Sequence, residues 1–448
     1  MKITMIPCFI WLFRITATGI AVNYAIQTMA IDAPDSCLSM DHAIIHTLNH
    51  HPTLKAAGHQ YQSSDAALRA SRSYFMPSVD LQTSSGQQKL DTPLTRSAGT
   101  SNKPFNPQQL SISASQNLFS GFYHVHEYQK QSEITHMQKE KIRIQAENLA
   151  ATTATLYIEI LNLEKQKAVT DLNLSSHEHI YTLIKQRTQT GLSSQSDLYQ
   201  IESRLVKAQA DKIKTDNQLS TAKIRFHTLT DLQPSGLLLP APILNLPDTL
   251  NDAIKQMLEN HPSIRAQEYE VSAAHLGYKQ SFSSFLPQID VSLTRRWDHD
   301  ISAMRGSHND IMTMVSVKYN LFSGGCDSAR REQLACQSEA VRDSLLDTRQ
   351  KLIEKLHISW QTLQSLQSQE ILFFRQTGFC HKTVIAYRQQ YDLGKRSLLD
   401  LLNSESEKYQ SESSYHHCWF NLLNMRFNIY ADMGILLDQL NIPQERWL

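Results

Sequence analysis

Apolar positions follow two different periods along this chain, and the two alternate in the same order twice. A helical spacing fills about 39–75 and again about 249–285. Proline closes each stretch, at Pro77 and Pro287, because it cannot continue the hydrogen-bond ladder. Alternation with a period of two follows. In the first half Val79 and Leu81 lead into polar residues, and Leu110, Ile112, Ala114 and Leu118 line one side of a return strand. In the second half the alternating positions are Ile289, Val291 and Leu293, then Ile311, Val315, Val317, Tyr319 and Leu321. Such alternation is the pattern of a half-buried strand. Turn-rich segments, Asp91 to Pro107 and Asp298 to Asp310, join the strands. Each half therefore predicts one long hairpin, with strands of about ten to thirteen residues.

Helical spacing then returns over far longer stretches. Residues 122–190 and 326–377 contain neither glycine nor proline. Ile142, Ala146, Leu149, Thr153, Leu156, Ile160 and Leu163 alternate steps of four and three, the seam of a coiled coil. Leu345, Leu352, Leu356, Leu363, Leu366 and Phe373 keep the same register in the second half. A continuous helix of this length spans roughly 100 Å, too long for a globular core. Gly191 and Gly394 end these stretches, and returning helices follow at about 196–230 and 397–438. The two glycines mark the tips of two helical hairpins.

The common order reflects a repeat. Residues 41–82 and 251–292 align without a gap at an offset of 210. Asn49-His50-His51-Pro52 matches Glu259-Asn260-His261-Pro262, and Val79-Asp80 matches Ile289-Asp290. At an offset of 203, Asn117-Leu118-Phe119-Ser120-Gly121 matches Asn320-Leu321-Phe322-Ser323-Gly324. At the same offset Gly191 matches Gly394, and Asp197-Leu198 matches Asp400-Leu401. The expected organisation is a leader over 1–30, a first repeat over 31–236, a linker over 237–248 and a second repeat over 249–448. The leader is expected because Met1-Lys2, an apolar run from Ile3 to Phe13 and the small residue Ala30 resemble a secretory signal. A buried N-terminal helix is the alternative.

Strand number restricts the architecture. Strands of this length suit a membrane-spanning β-strand, which needs about 9–11 residues. In lipid a sheet must close, because an open edge leaves unpaired backbone groups. Four strands cannot close, since the smallest membrane barrels take about eight. Three copies would supply twelve strands and twelve long helical segments. The expected fold is mainly α with β: a tandem-repeat protomer of coiled-coil helices and two β-hairpins. It would trimerise into a 12-stranded outer-membrane barrel and a periplasmic helical tunnel.

The repeat, the order of helix, proline, hairpin and long helix, and the Asn-Leu-Phe-Ser-Gly boundaries resemble the TolC family of trimeric outer-membrane export ducts, over roughly residues 38–440. Tyr391-Asp392-Leu393-Gly394-Lys395-Arg396-Ser397-Leu398-Leu399-Asp400-Leu401-Leu402-Asn403 is similar to the gate hairpin of that family, and Gly191-Leu192-Ser193-Ser194-Gln195-Ser196-Asp197 to its partner. The resemblance implies a gate in which Tyr391 and Arg396 bond to Asp197 and Ser196. It also implies a lumen-facing anionic ring at Asp400; a second ring would fall at position 403, where this chain has Asn403. Gly191, Leu192, Ser193, Leu393, Gly394 and Lys395 are the expected docking tips for a periplasmic adaptor and an inner-membrane ABC or RND pump. Outer-membrane lipid would surround the barrel. The energy source lies in the pump, so the duct needs no cofactor. Within the family, the boundary motifs and the turn-rich first hairpin favour type I protein secretion, with multidrug or small-molecule efflux as the alternative. The rival from another class is a soluble coiled-coil scaffold.

Composition narrows the remaining classes. Lys+Arg and Asp+Glu both number 43, so the formal net charge is zero, against a nucleic-acid partner. None of the six cysteines stands in a C-x-x-C pair, which leaves zinc-ribbon and thioredoxin chemistry unsupported. His42, His46 and His50 share one helix face, and His124-Val125-His126 and His177-Glu178-His179 are also dense in histidine. No carboxylate completes a metal set there, and an exposed polar face is the expected role. With no phosphate loop, nucleophile elbow or acid–base pair, the chain does not read as an enzyme.

Overall fold

The computed structural model describes residues 37–240, 246–301 and 306–443. The expected leader and part of the expected linker lie outside the described residues. The first half runs α1 (Met40–His50), α2 (Pro52–Arg72), β1 (Ser78–Ser85), β2 (Gln88–Lys89), α3 (Pro93–Ser97), β3 (Pro104–Phe105), β4 (Gln108–Phe119), α4 (Tyr123–Gln189) and α5 (Gln195–Thr230). The second runs α6 (Leu250–Asn260), α7 (Pro262–Gln280), β5 (Gln288–His299), β6 (Ser307–Lys318), α8 (Cys326–Asp392), α9 (Leu398–Asp432) and α10 (Leu436–Gln439).

Several expected boundaries are corrected. The helical stretches 39–75 and 249–285 each contain a break, at His51-Pro52 and His261-Pro262. Each histidine caps the following helix by accepting from a backbone N–H, Thr53 at 3.3 Å and Ser263 at 3.1 Å. Each proline takes the first helical position, where its missing N–H costs nothing. Strand β1 has only 8 residues, against 12 in each of β4, β5 and β6. Beyond it, the turn-rich segment is built into the short helix α3 and the β2–β3 pair. The second hairpin has a tighter loop than its turn residues suggest, because β5 extends to His299 and β6 begins at Ser307. The last helix stops at Asp432; Gly434 turns the chain at φ +71°, and α10 follows.

Strands β1, β4, β5 and β6 form one antiparallel sheet in the order β1-β4-β5-β6. Pairing of β4 with β5 joins the two halves, and β1 and β6 are the edges. The register brings Val79 and Leu81 beside Ala114 and Ile112, and Ile289 and Val291 beside Val317 and Val315. These side chains share one face of the sheet. That face is open: Leu81 is 70% exposed and Val317 65%. Arg295 also falls on this face, with its guanidinium 5.3 Å from the centroid of the Trp297 ring. The opposite face carries Asp80, Gln82, Ser111, Ser113, Ser292 and Thr294. A water-soluble sheet would bury the first face and expose the second. No described helix is long and apolar enough to cross a membrane.

Helix α4 has 67 residues, as does α8, which gives each a length of roughly 100 Å. Ile142, Ala146, Thr153 and Ile160 of the expected seam are buried, in a core shared with α1, α5, α9 and α10. Leu345, Leu356 and Leu363 are buried on α8. The α4–α5 pair is laced by Lys223–Glu164 at 2.9 Å, Lys167–Asp216 at 2.5 Å and Lys212–Asp171 at 2.6 Å. Helix α9 lies against α4 as well as α8. Thr155–Asn424 at 3.0 Å, Asn162–His417 at 3.2 Å, Gln166–Ser413 at 3.0 Å and Thr170–Tyr409 at 3.3 Å follow one antiparallel register.

Where the repeats meet below the sheet, Glu147 on α4 is 3% exposed. Its carboxylate accepts the backbone N–H groups of Leu436 at 3.1 Å and Leu437 at 3.4 Å, which anchors α10. Burial pushes its carboxyl up to about 7, against the opposing influence of Arg143. Arg143 itself reaches Asp438 at 2.6 Å. His261, also buried, is pushed down to about 4 by burial, with Lys355 and Arg143 adding to the shift.

Candidate functional site at the helical tips

The two tips are built alike, at the offset of 203. Gly191 and Gly394 adopt φ +74° and +68°, a region in which an L side chain is strained. Behind them Leu192 N–H donates to the Arg187 carbonyl and Lys395 N–H to the Gln390 carbonyl, both at 2.8 Å. Ser194 caps α5: its hydroxyl accepts from Asp197 N–H, and the Asp197 carboxylate accepts from Ser194 N–H. Ser397 caps α9 through Asp400 N–H, and its hydroxyl donates to the Asp400 carboxylate at 2.9 Å. Asp197 and Asp400 are thus matching capping acids, which also suit the positive end of a helix dipole. Leu192 and Leu393 stand 79% and 70% exposed at the two ends, beside exposed Lys395 and half-buried Ser193.

A compact apolar cluster holds the two hairpins together: Ile180, Ile184, Ile201, Tyr391, Leu398, Leu401 and Leu402. Tyr391 is 8% exposed, and the Arg187 guanidinium lies 5.1 Å from its ring centroid. Arg396 turns back onto its own hairpin. Its Nε donates to Gln390 at 2.9 Å, its guanidinium lies 4.3 Å from the Tyr387 ring centroid, and Asp400 is 3.8 Å away. Ser196 bonds to the Ser194 hydroxyl at 2.8 Å. Within one chain, then, Ser196 and Asp197 are held by their own cap, and Tyr391 and Arg396 by Arg187, Gln390 and Tyr387. The expected bonds between the two pairs are not made inside the protomer, because each side chain finds a partner within its own hairpin or across the cluster.

Asn403 accepts from Arg204 on α5 at 3.1 Å, a link that the motif did not reveal. Arg388 pairs at 2.5 Å with Glu405, which is 3% exposed. His177 is buried beside this pair, and burial lowers its basicity more than Glu405 raises it. The imidazoles of His46 and His50 stack at 4.2 Å on α1, and His42, about one turn earlier, lies 6.5 Å from His46. Among the described residues, no group of three or more histidine, cysteine or carboxylate side chains is placed to hold a metal ion.

The model of the outer membrane efflux protein family matches residues 44–230 and 253–417, most of the chain and both repeats. The chain belongs to the outer membrane efflux protein family. Its sheet therefore lies in the outer membrane and its helices in the periplasm, and the family is one of channels rather than enzymes. The chain is 20% identical over 323 residues to the proteases secretion protein PrtF of Dickeya chrysanthemi, covering 69% of each chain. It is 21% identical over 297 residues to the pyoverdine export outer membrane protein OpmQ of Pseudomonas putida, covering 64% of this chain and 62% of that one. Among solved structures, VceC of Vibrio cholerae superposes with a TM-score of 0.77 at 13% identity, covering 88% of this chain and 96% of that one. Outer membrane efflux proteins of the TolC type form homotrimers that work with adaptors and inner-membrane pumps.

Proposed function

We propose that this chain is the exit duct of a trans-envelope export system, a homotrimer that passively conducts substrates delivered by an inner-membrane pump through a periplasmic adaptor. The observation that carries this reading is the sheet: an open, largely apolar face, a more polar opposite face and two unpaired edges above helices of roughly 100 Å. A soluble scaffold has no use for such a face. Exposed Leu192, Leu393 and Lys395 and half-buried Ser193, presented by Gly191 and Gly394, are the docking tips. Tyr391, Arg396, Asp197 and Ser196 form the gate, with Tyr391 and Arg396 bonding to Asp197 and Ser196 in the closed tunnel. Asp400 and Asn403 face the lumen.

Cargo is the finer question. We lean to type I protein secretion, for which PrtF, named for protease secretion, is one support. Similarity to OpmQ, named for pyoverdine export, favours small-molecule efflux to a comparable degree. Planar-bilayer recording tests the duct. The wild type should give discrete channels, and Arg396→Ser with Tyr391→Phe should raise their conductance. An absence of channels from folded, membrane-extracted protein would remove the duct reading. Cargo is tested by complementation: restored protein secretion without restored drug tolerance supports the type I reading, and the reverse supports efflux.

A further inference from the structure

We propose that His46 and His50 on α1 form a two-imidazole site for a divalent transition-metal ion. The pair lies outside the sheet and the helical tips, and the export reading makes no use of it. The two residues are four apart on one helix face, and their rings stack at 4.2 Å with 21° between the planes. Histidines at this spacing are the ligand pair that a single helix can offer to a metal. His46 is half-buried and His50 exposed, so an ion can reach them from solvent.

Hydrogen bonds fix the chemistry of both rings. His46 Nδ1 lies 2.9 Å from the Thr230 carbonyl, and His50 Nδ1 lies 2.9 Å from the His46 carbonyl. A carbonyl oxygen only accepts, so each Nδ1 carries the proton and each Nε2 keeps its lone pair. Among the described residues neither Nε2 makes a hydrogen bond, and neither is a buried orphan. A ring N–H held by a backbone carbonyl is the arrangement found behind metal-bound histidine, because it sets the tautomer and raises the basicity of the other nitrogen. Two nitrogens at about 2.1 Å from a tetrahedral ion stand about 3.3 Å apart, a spacing that rings stacked in this way reach by rotation about their Cβ–Cγ bonds. Water completes the coordination, so no carboxylate is required. Cu²⁺ is the tightest binder expected of an imidazole pair, ahead of Zn²⁺. His42, at 6.5 Å from His46, falls outside a shared coordination sphere.

The repeat shows that the fold itself does not call for these imidazoles. At the offset of 210 the equivalents of His42, His46 and His50 are Asp252, Gln256 and Asn260 on α6. Helices α1 and α6 both have 11 residues, and each is followed by a histidine that caps the next helix. Their buried positions also correspond, Ala43 with Ala253 and Thr47 with Met257. One helix design therefore occurs twice, once with a row of histidines and once without.

Metal binding is read on untagged, full-length protein whose thiols have been alkylated, so that cysteine neither binds nor reduces the probe. Cu²⁺ should fill one strong site per chain, with an electron paramagnetic resonance signal split by two nitrogens, and Zn²⁺ should compete for it. His46→Gln and His50→Asn install the residues of the second half and should keep the fold, which circular dichroism checks. Each should weaken the site about a hundredfold, the gain that a second, intramolecular ligand supplies, and the double variant should lose no more at this site. His42→Gln should leave it unchanged. Cu²⁺ binding that is unaltered in His46→Gln and His50→Asn, or a loss that follows His42→Gln instead, overturns the site. Small losses that add in the double variant overturn it too, because they describe separate imidazoles rather than a chelate.

Discussion

The Arg204 guanidinium donates to the Asn403 side-chain oxygen at 3.1 Å and so ties α5 to α9 near the tip. A carboxylate at position 403 would meet that guanidinium rather than stand alone in the lumen. Asn403→Asp by itself should therefore shift the reversal potential only slightly towards cations. Asn403→Asp with Arg204→Ala should shift it much further, because the new charge loses its partner. Equal shifts in a planar bilayer would show that Arg204 does not screen this position.

Tyr391 acts inside the chain through its ring, which is packed among Leu402, Ile184 and their neighbours. Tyr391→Ala should destabilise the tip by about 3 kcal/mol, in line with large-to-small changes in cores. Tyr391→Phe keeps the ring and should leave the tip as resistant to limited proteolysis as the wild type. Equal cleavage rates for the two variants would contradict this packing role.

Glu147 sets a pH dependence with a definite sign. Its folded carboxyl is raised from 4.5 to about 7, so the folded chain holds a proton that the unfolded chain releases. The stabilising contribution is complete below about 4.5 and is lost as pH rises through 7, a change of about 3 kcal/mol. Glu147→Gln keeps an acceptor for Leu436 N–H and should remove this slope between pH 4.5 and 7. Thermal melts of both proteins across that window check it; parallel curves would mean that Glu147 is already ionised throughout.

Gly121→Ala and Gly324→Ala differ in what they cost the fold. Gly121→Ala places a Cβ against backbone and should prevent the protomer from folding. At Gly324 a Cβ would meet nothing within 4 Å, so Gly324→Ala carries only the cost of a positive φ within the chain, about 1–2 kcal/mol, and should yield a folded protomer. Circular dichroism distinguishes the two outcomes, and a fully folded Gly121→Ala protein would count against the close approach of Ser283 to that position.

Much of this architecture is legible in the residues. The repeat, the two hairpins, the long seams and the tip glycines follow from periodicity and from where glycine and proline fall. The breaks at His51-Pro52 and His261-Pro262 are hidden because apolar spacing carries across them and only the capping imidazoles reveal them. The turn at Gly434 and helix α10 depend on Glu147, remote in sequence. Motif position places Asp197, Tyr391, Arg396 and Asp400 at the tip but does not give their partners. Arg396 is placed by the ring of Tyr387 and the amide of Gln390, choices a linear motif does not record. Arg204 was missed for the same reason: its bond to Asn403 crosses between repeats.

The central claim is that one chain supplies a third of a closed barrel. The native mass of detergent-extracted, membrane-derived protein tests it most directly. A trimer is predicted, because four strands leave two edges that only further copies can pair. A folded, membrane-extracted monomer would contradict the account at its base.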